Sequence, residues 1–273
     1  MEASLPKVKE PWQLHMFRRA LKKQLKLQAL LQQLGDVSAQ DCLLVTCGDN
    51  NGALNWHFRS HGGNWTWADV AGENLMEMGE FLGEKVHHLA EENFPFADNQ
   101  FDRVVSIDVL EHLADDQPFL SELRRVLRPG GKAVVTVPNG DIRLLANQVK
   151  WRLGMTPAVY GHTRAGYTLA QLGDSLARAG FEPVGEGGYS RFFTEMVELL
   201  INFAYVFVLS RKRDHGSSGQ IAPASASELK THRGAYRLYA LAFPFLRLVS
   251  KLDTLLPAGS NNAVIVVAEK GKV

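Results

Sequence analysis

The fold is decided by residues 41–54, Asp-Cys-Leu-Leu-Val-Thr-Cys-Gly-Asp-Asn-Asn-Gly-Ala-Leu. An apolar run, 42–47, leads into a loop that contains Gly48 and Gly52, and a helix-compatible segment, 53–58, follows. This order predicts a buried strand, a tight turn and a helix. The glycines allow the backbone to approach a ligand, and the helix N-terminus presents unpaired N–H groups. On this stretch alone, an ordinary turn between a strand and a helix is an equal alternative.

A second stretch carries three motifs that are specific in combination. They are Phe94-Pro-Phe-x-Asp-x-x-Phe-Asp102, Leu110-Glu-His112 and Arg125-Val-Leu-Arg-Pro-Gly-Gly-Lys132. With these motifs the chain resembles the class I S-adenosylmethionine-dependent methyltransferases, in particular the small-molecule, type 11-like branch. The resemblance covers about residues 40–190 and a last strand near 262–269. It implies methyl transfer, with S-adenosylmethionine as the cofactor.

The resemblance implies an α/β fold with a seven-stranded Rossmann-like methyltransferase sheet. The sheet is expected to be mostly parallel with an antiparallel last strand, and a helical insertion separates strands six and seven. The predicted strands are 42–47, 64–68, 85–89, 102–107, 133–137, 181–189 and 263–268. The predicted helices between them are 115–127, 141–150 and 168–179, with a turn at 129–131.

The family's glycine-rich loop corresponds to Thr46, Gly48, Asn50 and Gly52. Thr46 stands where the family usually has a carboxylate, and Asn50 replaces the middle glycine. Because Asn tolerates a left-handed backbone better than other non-glycine residues, the loop is expected to keep its shape. Thr46 offers a hydroxyl but no charge. These departures therefore bear on cofactor affinity more than on the fold.

Four further residues are implied to contact the cofactor. Asp69 lies about 20 residues beyond the glycine loop and is expected to accept hydrogen bonds from the ribose hydroxyls, although a helix N-cap is an alternative. Ile107 and Asp108 match positions that line the methionine part. Ala90 stands where the family often has an Asp that meets the adenine amino group. The adjacent Glu91 is the candidate substitute, or else is solvated.

The candidate catalytic residues are His162, His112 and Tyr167. Methyl transfer from a sulfonium is an in-line displacement in which the protein mainly orients the reactants, and an oxygen or nitrogen acceptor often needs a base. A loop histidine near its usual pKa accepts a proton at neutral pH. Structural roles in fastening the loops are the alternative for all three. O-, N- and C-methylation stay open, and no metal is expected.

Composition restricts the class of protein. The 273 residues are 45% hydrophobic and carry a net charge of +1, which suits one large domain with additions and gives no field that favours nucleic acid. Cys42 and Cys47 fall on opposite faces of one predicted strand, so a disulfide between them is not expected. Residues 1–7 lack the apolar core of a signal peptide. A reducing, cytoplasmic compartment fits these features.

Three units are predicted: a basic N-terminal helix in 1–38, the methyltransferase domain in 39–191 and 260–273, and an insertion in 192–259 with a flexible linker at 214–234. Apolar spacing predicts that the N-terminal helix runs from 11 to 34. Its basic positions either form a solvated face or attract an anionic membrane surface. They are Arg18, Arg19, Lys22, Lys23 and Lys26.

The insertion contains apolar segments at 192–209 and 236–256 that flank a basic cluster at 211–213. Glu195, Glu198 and Asn202 make the first segment too polar for a spanning helix. The alternatives are a buried lid, an oligomer interface or a helical pair that rests on lipid at the inner face of the membrane. The aromatic residues that favour lipid are Phe192, Phe193, Phe203, Tyr205, Phe207, Tyr236, Tyr239, Phe243 and Phe245.

Two functional hypotheses follow. The first is methyl transfer to a small, hydrophobic or lipid-linked acceptor, with peripheral membrane contact and no nucleic-acid partner. The second, motivated by Thr46, Asn50 and Ala90, is a methyltransferase fold that has lost catalysis and serves as a binding or scaffold subunit. A nicotinamide dehydrogenase is disfavoured, because it would use a tighter Gly-x-Gly-x-x-Gly turn and would not show the motifs of 94–139.

Overall fold

A computed structural model describes residues 10–48, 50–72, 74–203, 233–257 and 259–272. The strands in these ranges are β1 (Asp41–Thr46), β2 (Asn64–Asp69), β3 (Val86–His88), β4 (Phe101–Ile107), β5 (Leu127–Pro138), β6 (Phe181–Tyr189) and β7 (Ala263–Lys270). The helices are α1 (Trp12–Phe17), α2 (Leu21–Leu34), α3 (Ala53–Ser60), α4 (Leu75–Leu82), α5 (Gln117–Val126), α6 (Leu145–Arg152), α7 (Leu169–Arg178), α8 (Phe192–Phe203) and α9 (Arg233–Ser250). Short 3₁₀ turns cover Leu110–His112, Pro157–Tyr160 and Lys251–Leu255.

The strands form one sheet in the order β3-β2-β1-β4-β5-β7-β6. Strands β1 to β5 are parallel to one another, and β7 is antiparallel to both of its neighbours, β5 and β6. The predicted Rossmann-like sheet with an antiparallel last strand is therefore confirmed. Strand order reverses between β1 and β4, and ligands of such sheets bind in the crevice at the carboxyl ends of these two strands.

Strand β1 is buried on both faces of the sheet, because helices cover each face. Leu43 and Val45 belong to one buried cluster, and Cys42 and Leu44 belong to the cluster on the opposite face. All four side chains are fully buried. A parallel strand that is buried on both faces reads as a continuous apolar run, which explains why 42–47 predicted it so well.

Several predicted boundaries differ from the structure, and the helix predicted at 141–150 runs from Leu145 to Arg152. The N-terminal helix is interrupted after Phe17, whose carbonyl accepts a hydrogen bond from the Gln24 side chain at 2.9 Å. Phe17 packs against the ring of His57, with the centroids 4.5 Å apart, so the break lets this helix follow the domain surface. The predicted turn at 129–131 lies within β5, which begins at Leu127 and pairs irregularly with the start of β4.

The insertion is described in part. Helix α8 and helix α9 contact each other, whereas 204–232 lie outside the described residues, together with Tyr205, Phe207, the cluster 211–213 and most of the predicted linker. Tyr236 and Tyr239 donate hydrogen bonds to carbonyl groups of the N-terminal segment, at His15 and Arg19. Among the described helices, none combines the length and the apolar character that a bilayer-spanning helix requires.

Gly166 is a position where any side chain is predicted to destabilise the fold. Its φ is +106°, and a Cβ would lie 2.1 Å from the carbonyl oxygen of Pro138, at the end of β5. We expect Gly166→Ala to lower the free energy of unfolding by about 2 kcal/mol or more, the scale of backbone strain and a steric clash. Urea denaturation measures this change.

The matched control is Gly173→Ala in helix α7, where no atom lies within 4 Å of the added methyl group. Alanine is the better helix former, so this variant should be unchanged or more stable by roughly 0.5–1 kcal/mol. Equal stability of Gly166→Ala and the parent protein would show that the backbone at Gly166 does not pack closely against the Pro138 carbonyl at the end of β5.

Candidate functional site

A cavity of about 340 Å³ opens at the carboxyl ends of β1 and β4. Its walls come from the loops that follow these strands, from the loop at 157–165, and from helices α2, α6 and α8. Residues from every one of these elements line it, including Lys26, Gly48, Asp108, His162, Lys150 and Glu195. The N-terminal helix and the insertion are therefore parts of the same site as the sheet edge.

The glycine loop is held in shape by its own polar side chains. The Thr46 hydroxyl donates to Asp69 at 2.7 Å, and the Gly48 N–H donates to the same carboxylate at 3.1 Å. The Asn50 amide donates to the Asn55 side chain at 2.7 Å and accepts from the Gly52 N–H at 3.1 Å. A carboxylate at position 46 would face that of Asp69. The threonine supplies a donor there instead.

Asp69 is almost fully buried, with 1% of its surface exposed. Besides Thr46 and Gly48, the N–H of Gly72 donates to it at 3.1 Å. Burial raises the pKa of this carboxyl, while the hydrogen bonds from Thr46, Gly48 and Gly72 act in the opposite direction. Asp69 thus organises the loop around Gly48, and it lies at the position that the resemblance assigns to ribose binding.

Asp108 has a left-handed backbone in the wall of the cavity. Its φ of +49° is left-handed, a conformation that non-glycine residues seldom adopt and that clusters at functional sites. Its N–H donates to the Thr136 carbonyl at 2.9 Å, and its carboxylate pairs with the Lys26 ammonium from α2. The neighbouring Ile107 is buried in the core, whereas Glu91 is exposed on the surface.

Of the three candidate catalytic residues, His112 and His162 lie together at the cavity, whereas Tyr167 is buried apart from them. The rings of His112 and His162 meet edge to face, with centroids 4.8 Å apart, and both line the cavity. Burial, followed by the influence of His112, lowers the pKa of His162 to about 4. Tyr167 is buried, donates its hydroxyl to Asp116 at 2.7 Å and accepts from Arg164 at 2.7 Å. These contacts favour a structural role for Tyr167.

Sequence reasoning missed a buried ionic cluster at the cavity wall. Glu195 has no exposed surface and pairs with Lys22 of α2 at 2.8 Å and with Lys150 of α6. Burial opposes ionisation of Glu195, but the attraction of Lys150 and Lys22 outweighs it and lowers the pKa to about 2. The available signal was a pair of carboxylates, Glu195 and Glu198, in an otherwise apolar helix, and lysines four residues apart at 22 and 26.

Known proteins with similar sequences are methyltransferases. Residues 43–135 match the protein family described as a methyltransferase domain. The chain is 41% identical over 89 residues to the probable S-adenosylmethionine-dependent methyltransferase of Mycolicibacterium smegmatis, covering 32% of this chain and 31% of that protein. It is 31% identical over 132 residues to the phthiotriol/phenolphthiotriol dimycocerosates methyltransferase of Mycobacterium tuberculosis. This match covers 45% of this chain and 46% of that protein. The chain thus spans less than half the length of these curated relatives.

Solved structures share the fold at low sequence identity. The phosphoethanolamine N-methyltransferase 2 of Haemonchus contortus, in complex with S-adenosyl-L-methionine, is 19% identical with a TM-score of 0.53 over 90% of this chain and 52% of that one. The [4+2]-cyclase SpnF is 18% identical, with a TM-score of 0.54 over 93% of this chain and 82% of that one. The matched domain at 43–135, the curated relatives and the shared fold together support a class I S-adenosylmethionine-dependent methyltransferase family, and S-adenosylmethionine is the cofactor of that family.

Gly48 and Asp108 line the cavity at the sheet edge, whereas Asp69 is buried and is not among the described residues that line it. A Cβ at Gly48 would lie 3.3 Å from the Cβ of Ala71 and would narrow the cavity that both residues line. Asp69 and Asp108 stand at the carboxyl ends of β2 and β4, where the resemblance implies contacts to the ribose and to the methionine part of the cofactor. Each of the two carboxylates is already engaged, Asp69 by the glycine loop and Asp108 by Lys26.

Proposed function

We propose that this chain binds S-adenosylmethionine at the edge of β1 and β4 and transfers its methyl group to an acceptor in the adjoining cavity. The observation that carries the proposal is the strained Asp108 beside Gly48 in a cavity at the topological switch point. The match of 43–135 to a methyltransferase domain supports it.

Lys26 and Asp108 form a pair of opposite charges that suits the methionine part of the cofactor. The methionine end of the cofactor is a zwitterion, with an ammonium that suits Asp108 and a carboxylate that suits Lys26. Binding would replace one direct ion pair with two charge-assisted contacts, which are the stronger kind of hydrogen bond. Asp69 would accept from the ribose, and Gly48 would leave space for the backbone to approach.

The cofactor supplies an activated methyl group, so the protein has to orient the acceptor and, for a hydroxyl or amine, remove a proton. His162 lies in the cavity wall and is uncharged at neutral pH, so it can accept a proton there. Burial lowers its pKa to about 4, however, which makes it a weaker base than the histidine near its usual pKa that the sequence predicted. His112 is the second candidate. Because its Nδ1 faces the Gly161 carbonyl at 3.2 Å, Nδ1 carries the proton and Nε2 is the basic nitrogen.

A binding or scaffold subunit without catalysis is the second candidate function. The three protein donors on Asp69 favour it, because they occupy the carboxylate that would otherwise bind ribose. The same fold also occurs in a [4+2]-cyclase, and a fold does not determine a reaction. Titration with S-adenosylmethionine distinguishes the two functions.

We expect isothermal titration to show binding of S-adenosylmethionine by the full chain. Asp69→Ala should weaken binding by a few kcal/mol at most, the scale of lost charge-assisted hydrogen bonds. The matched control is Asp36→Ala, at an exposed carboxylate outside the cavity that accepts a hydrogen bond from the Ser38 hydroxyl. Unchanged affinity in Asp69→Ala would remove Asp69 from ribose binding, and no binding by the folded parent protein would favour the scaffold function.

The acceptor that we propose is hydrophobic or lipid-linked, and it reaches the cavity from a membrane surface. Three large apolar side chains on one face of α9, Leu241, Phe245 and Leu248, are 62–81% exposed. They follow the spacing i, i+4, i+7 of a single helix face. The following 3₁₀ turn continues this surface with Leu252 and Leu255. We call these five residues the α9 apolar face.

Charge beside the α9 apolar face suits an anionic lipid surface. Arg237, Arg247 and Lys251 are exposed on the same segment, and a basic residue near such a surface contributes about 1 kcal/mol. The names of two relatives, a ubiquinone biosynthesis O-methyltransferase and the dimycocerosates methyltransferase, refer to hydrophobic compounds.

Part of the aromatic surface invoked from sequence has a protein partner. Tyr236 and Tyr239 bond to the N-terminal segment, and Phe243 packs on Tyr239 with the centroids 5.9 Å apart. In the described part of this segment, Phe245 is the aromatic residue left largely exposed. The lipid contact proposed here therefore rests on leucines and one phenylalanine.

Liposome flotation tests the membrane contact. We expect the full chain to float with anionic vesicles and to float less at high salt, because salt screens the basic residues. Replacing Leu241, Phe245 and Leu248 by serine should abolish flotation, because it removes the apolar contact.

The control replaces Met76, Ile142 and Val184 by serine, since these side chains are 53–80% exposed on other surfaces. It should float like the parent protein. If the folded parent protein stays at the bottom of the gradient, or if both triple variants float equally, the α9 apolar face does not bind lipid.

A further inference from the structure

Three metal-ligating side chains converge in the cavity wall. Glu111 and His112 come from the 3₁₀ turn after β4, and His162 comes from the loop at 157–165. One ligand atom from each side chain lies within 4.8 Å of the other two. The cluster joins two loops that are about 50 residues apart in sequence, so it depends on the fold and was not visible as a motif.

Glu111 is the least explained group in this part of the molecule. Its side chain has no exposed surface, and neither carboxylate oxygen has a hydrogen-bond partner among the described residues. A buried polar group without a partner is costly, and buried charges are normally paired or bound to a metal. A cation between Glu111 and the two histidines would supply the missing partner.

His112 has the orientation of a metal ligand. Its Nδ1 lies 3.2 Å from the carbonyl oxygen of Gly161, which fixes the proton on Nδ1 and leaves the Nε2 lone pair available. Histidine ligands commonly donate their second ring nitrogen in this way. The rings of His112 and His162 meet edge to face, and one nitrogen of each ring lies within 4.8 Å of a carboxylate oxygen of Glu111.

Several hydrogen bonds besides that of His112 to Gly161 fasten the two loops. The N–H and hydroxyl of Thr163 both donate to the Glu111 carbonyl at 2.9 Å. The guanidinium of Arg164 donates to the carbonyls of Leu113 and Ala114 at 2.8 Å. Backbone-directed hydrogen bonds already join the loops, so the convergence of Glu111, His112 and His162 calls for another explanation.

We propose that Glu111, His112 and His162 bind one divalent transition-metal ion of the Zn²⁺ type. Two imidazoles and one carboxylate form a ligand set that such ions use in catalytic sites, with a fourth position for water or substrate. Ligand atoms bound tetrahedrally are about 3.4 Å apart at the usual bond lengths. The cluster therefore closes by at most about 1.5 Å on binding, a distance that side-chain torsions cover.

The proposed ion would lie in the wall of the cavity that also contains Asp108. Bound there, it would coordinate an acceptor hydroxyl and favour its deprotonated form, in place of a histidine base. That consequence rests on the proposed methyl transfer. The metal site itself does not, because its ligands and its test are independent of the reaction.

The test is a Zn²⁺ titration of the full chain, freed of affinity tag and of metal, in competition with a chromophoric chelator. We expect one equivalent to bind and to raise the melting temperature, since an ion that binds the folded state stabilises it. Glu111→Gln and His162→Ala should each lower the affinity at least tenfold, because each removes a ligand, and the loss of an outer-shell partner alone costs 10–100-fold.

The matched controls are Glu182→Gln and His61→Ala, at exposed positions outside the cavity. Both should bind Zn²⁺ like the parent protein. Failure of the folded parent protein to bind, or equal affinity in the site variants and the controls, overturns the proposal. Tighter binding of Mg²⁺ than of Zn²⁺ overturns the assignment of a transition metal. If one of the two site variants does not fold, the Zn²⁺ affinity of the other variant, whose substitution lies on a different loop, tests the proposal.

Discussion

The buried carboxylate of Glu195 holds together the segments that enclose the cavity. It binds Lys22 from α2 and Lys150 from α6, and it accepts from the Ser190 hydroxyl just beyond β6. Removing one partner of a buried pair leaves an uncompensated charge and typically costs about 3–5 kcal/mol. The N-terminal helix, α6 and the insertion are thus bridged at one buried carboxylate.

This arrangement links the insertion to chemistry at the sheet edge. Helix α2 is held by Glu195 through Lys22, and four residues later it presents Lys26 to Asp108. Helix α8, which carries Glu195, packs against α9, which exposes the α9 apolar face. A contact at the α9 surface thus lies one helix away from the cavity wall. This proximity gives a physical reason for a methyltransferase domain to carry an insertion between its last two strands.

The sheet could be predicted from sequence because its signals are local. An apolar run, a glycine loop and the motifs between 94 and 132 lie within short stretches, and they placed β1, β4 and Asp108 correctly. The directions of the lysines could not be predicted. Lys22 and Lys26 were expected to face solvent or lipid, but they point into the cavity because their partners, Glu195 and Asp108, are 173 and 82 residues away in sequence.

The convergence of His112, His162 and Glu111 could not be predicted for the same reason. These residues come from two loops, so no fixed spacing along the sequence marks the site. The separation of Tyr167 from the histidines also depends on tertiary structure, because Asp116 captures its hydroxyl. Within the glycine loop, by contrast, Thr46 and Asn50 departed from the family pattern, and the hydrogen bonds that they make explain how the loop keeps its shape.

The most direct test of the account is methyl transfer from S-adenosylmethionine labelled in its methyl group. The purified chain is incubated with vesicles made from an anionic lipid extract, and the organic phase is then counted. We expect protein-dependent label in the organic phase, and less label for Asp108→Ala, which removes the carboxylate proposed to bind the methionine part of the cofactor. Absence of label with a folded protein that neither binds S-adenosylmethionine nor floats with the vesicles would overturn the proposed methyl transfer to a lipid acceptor.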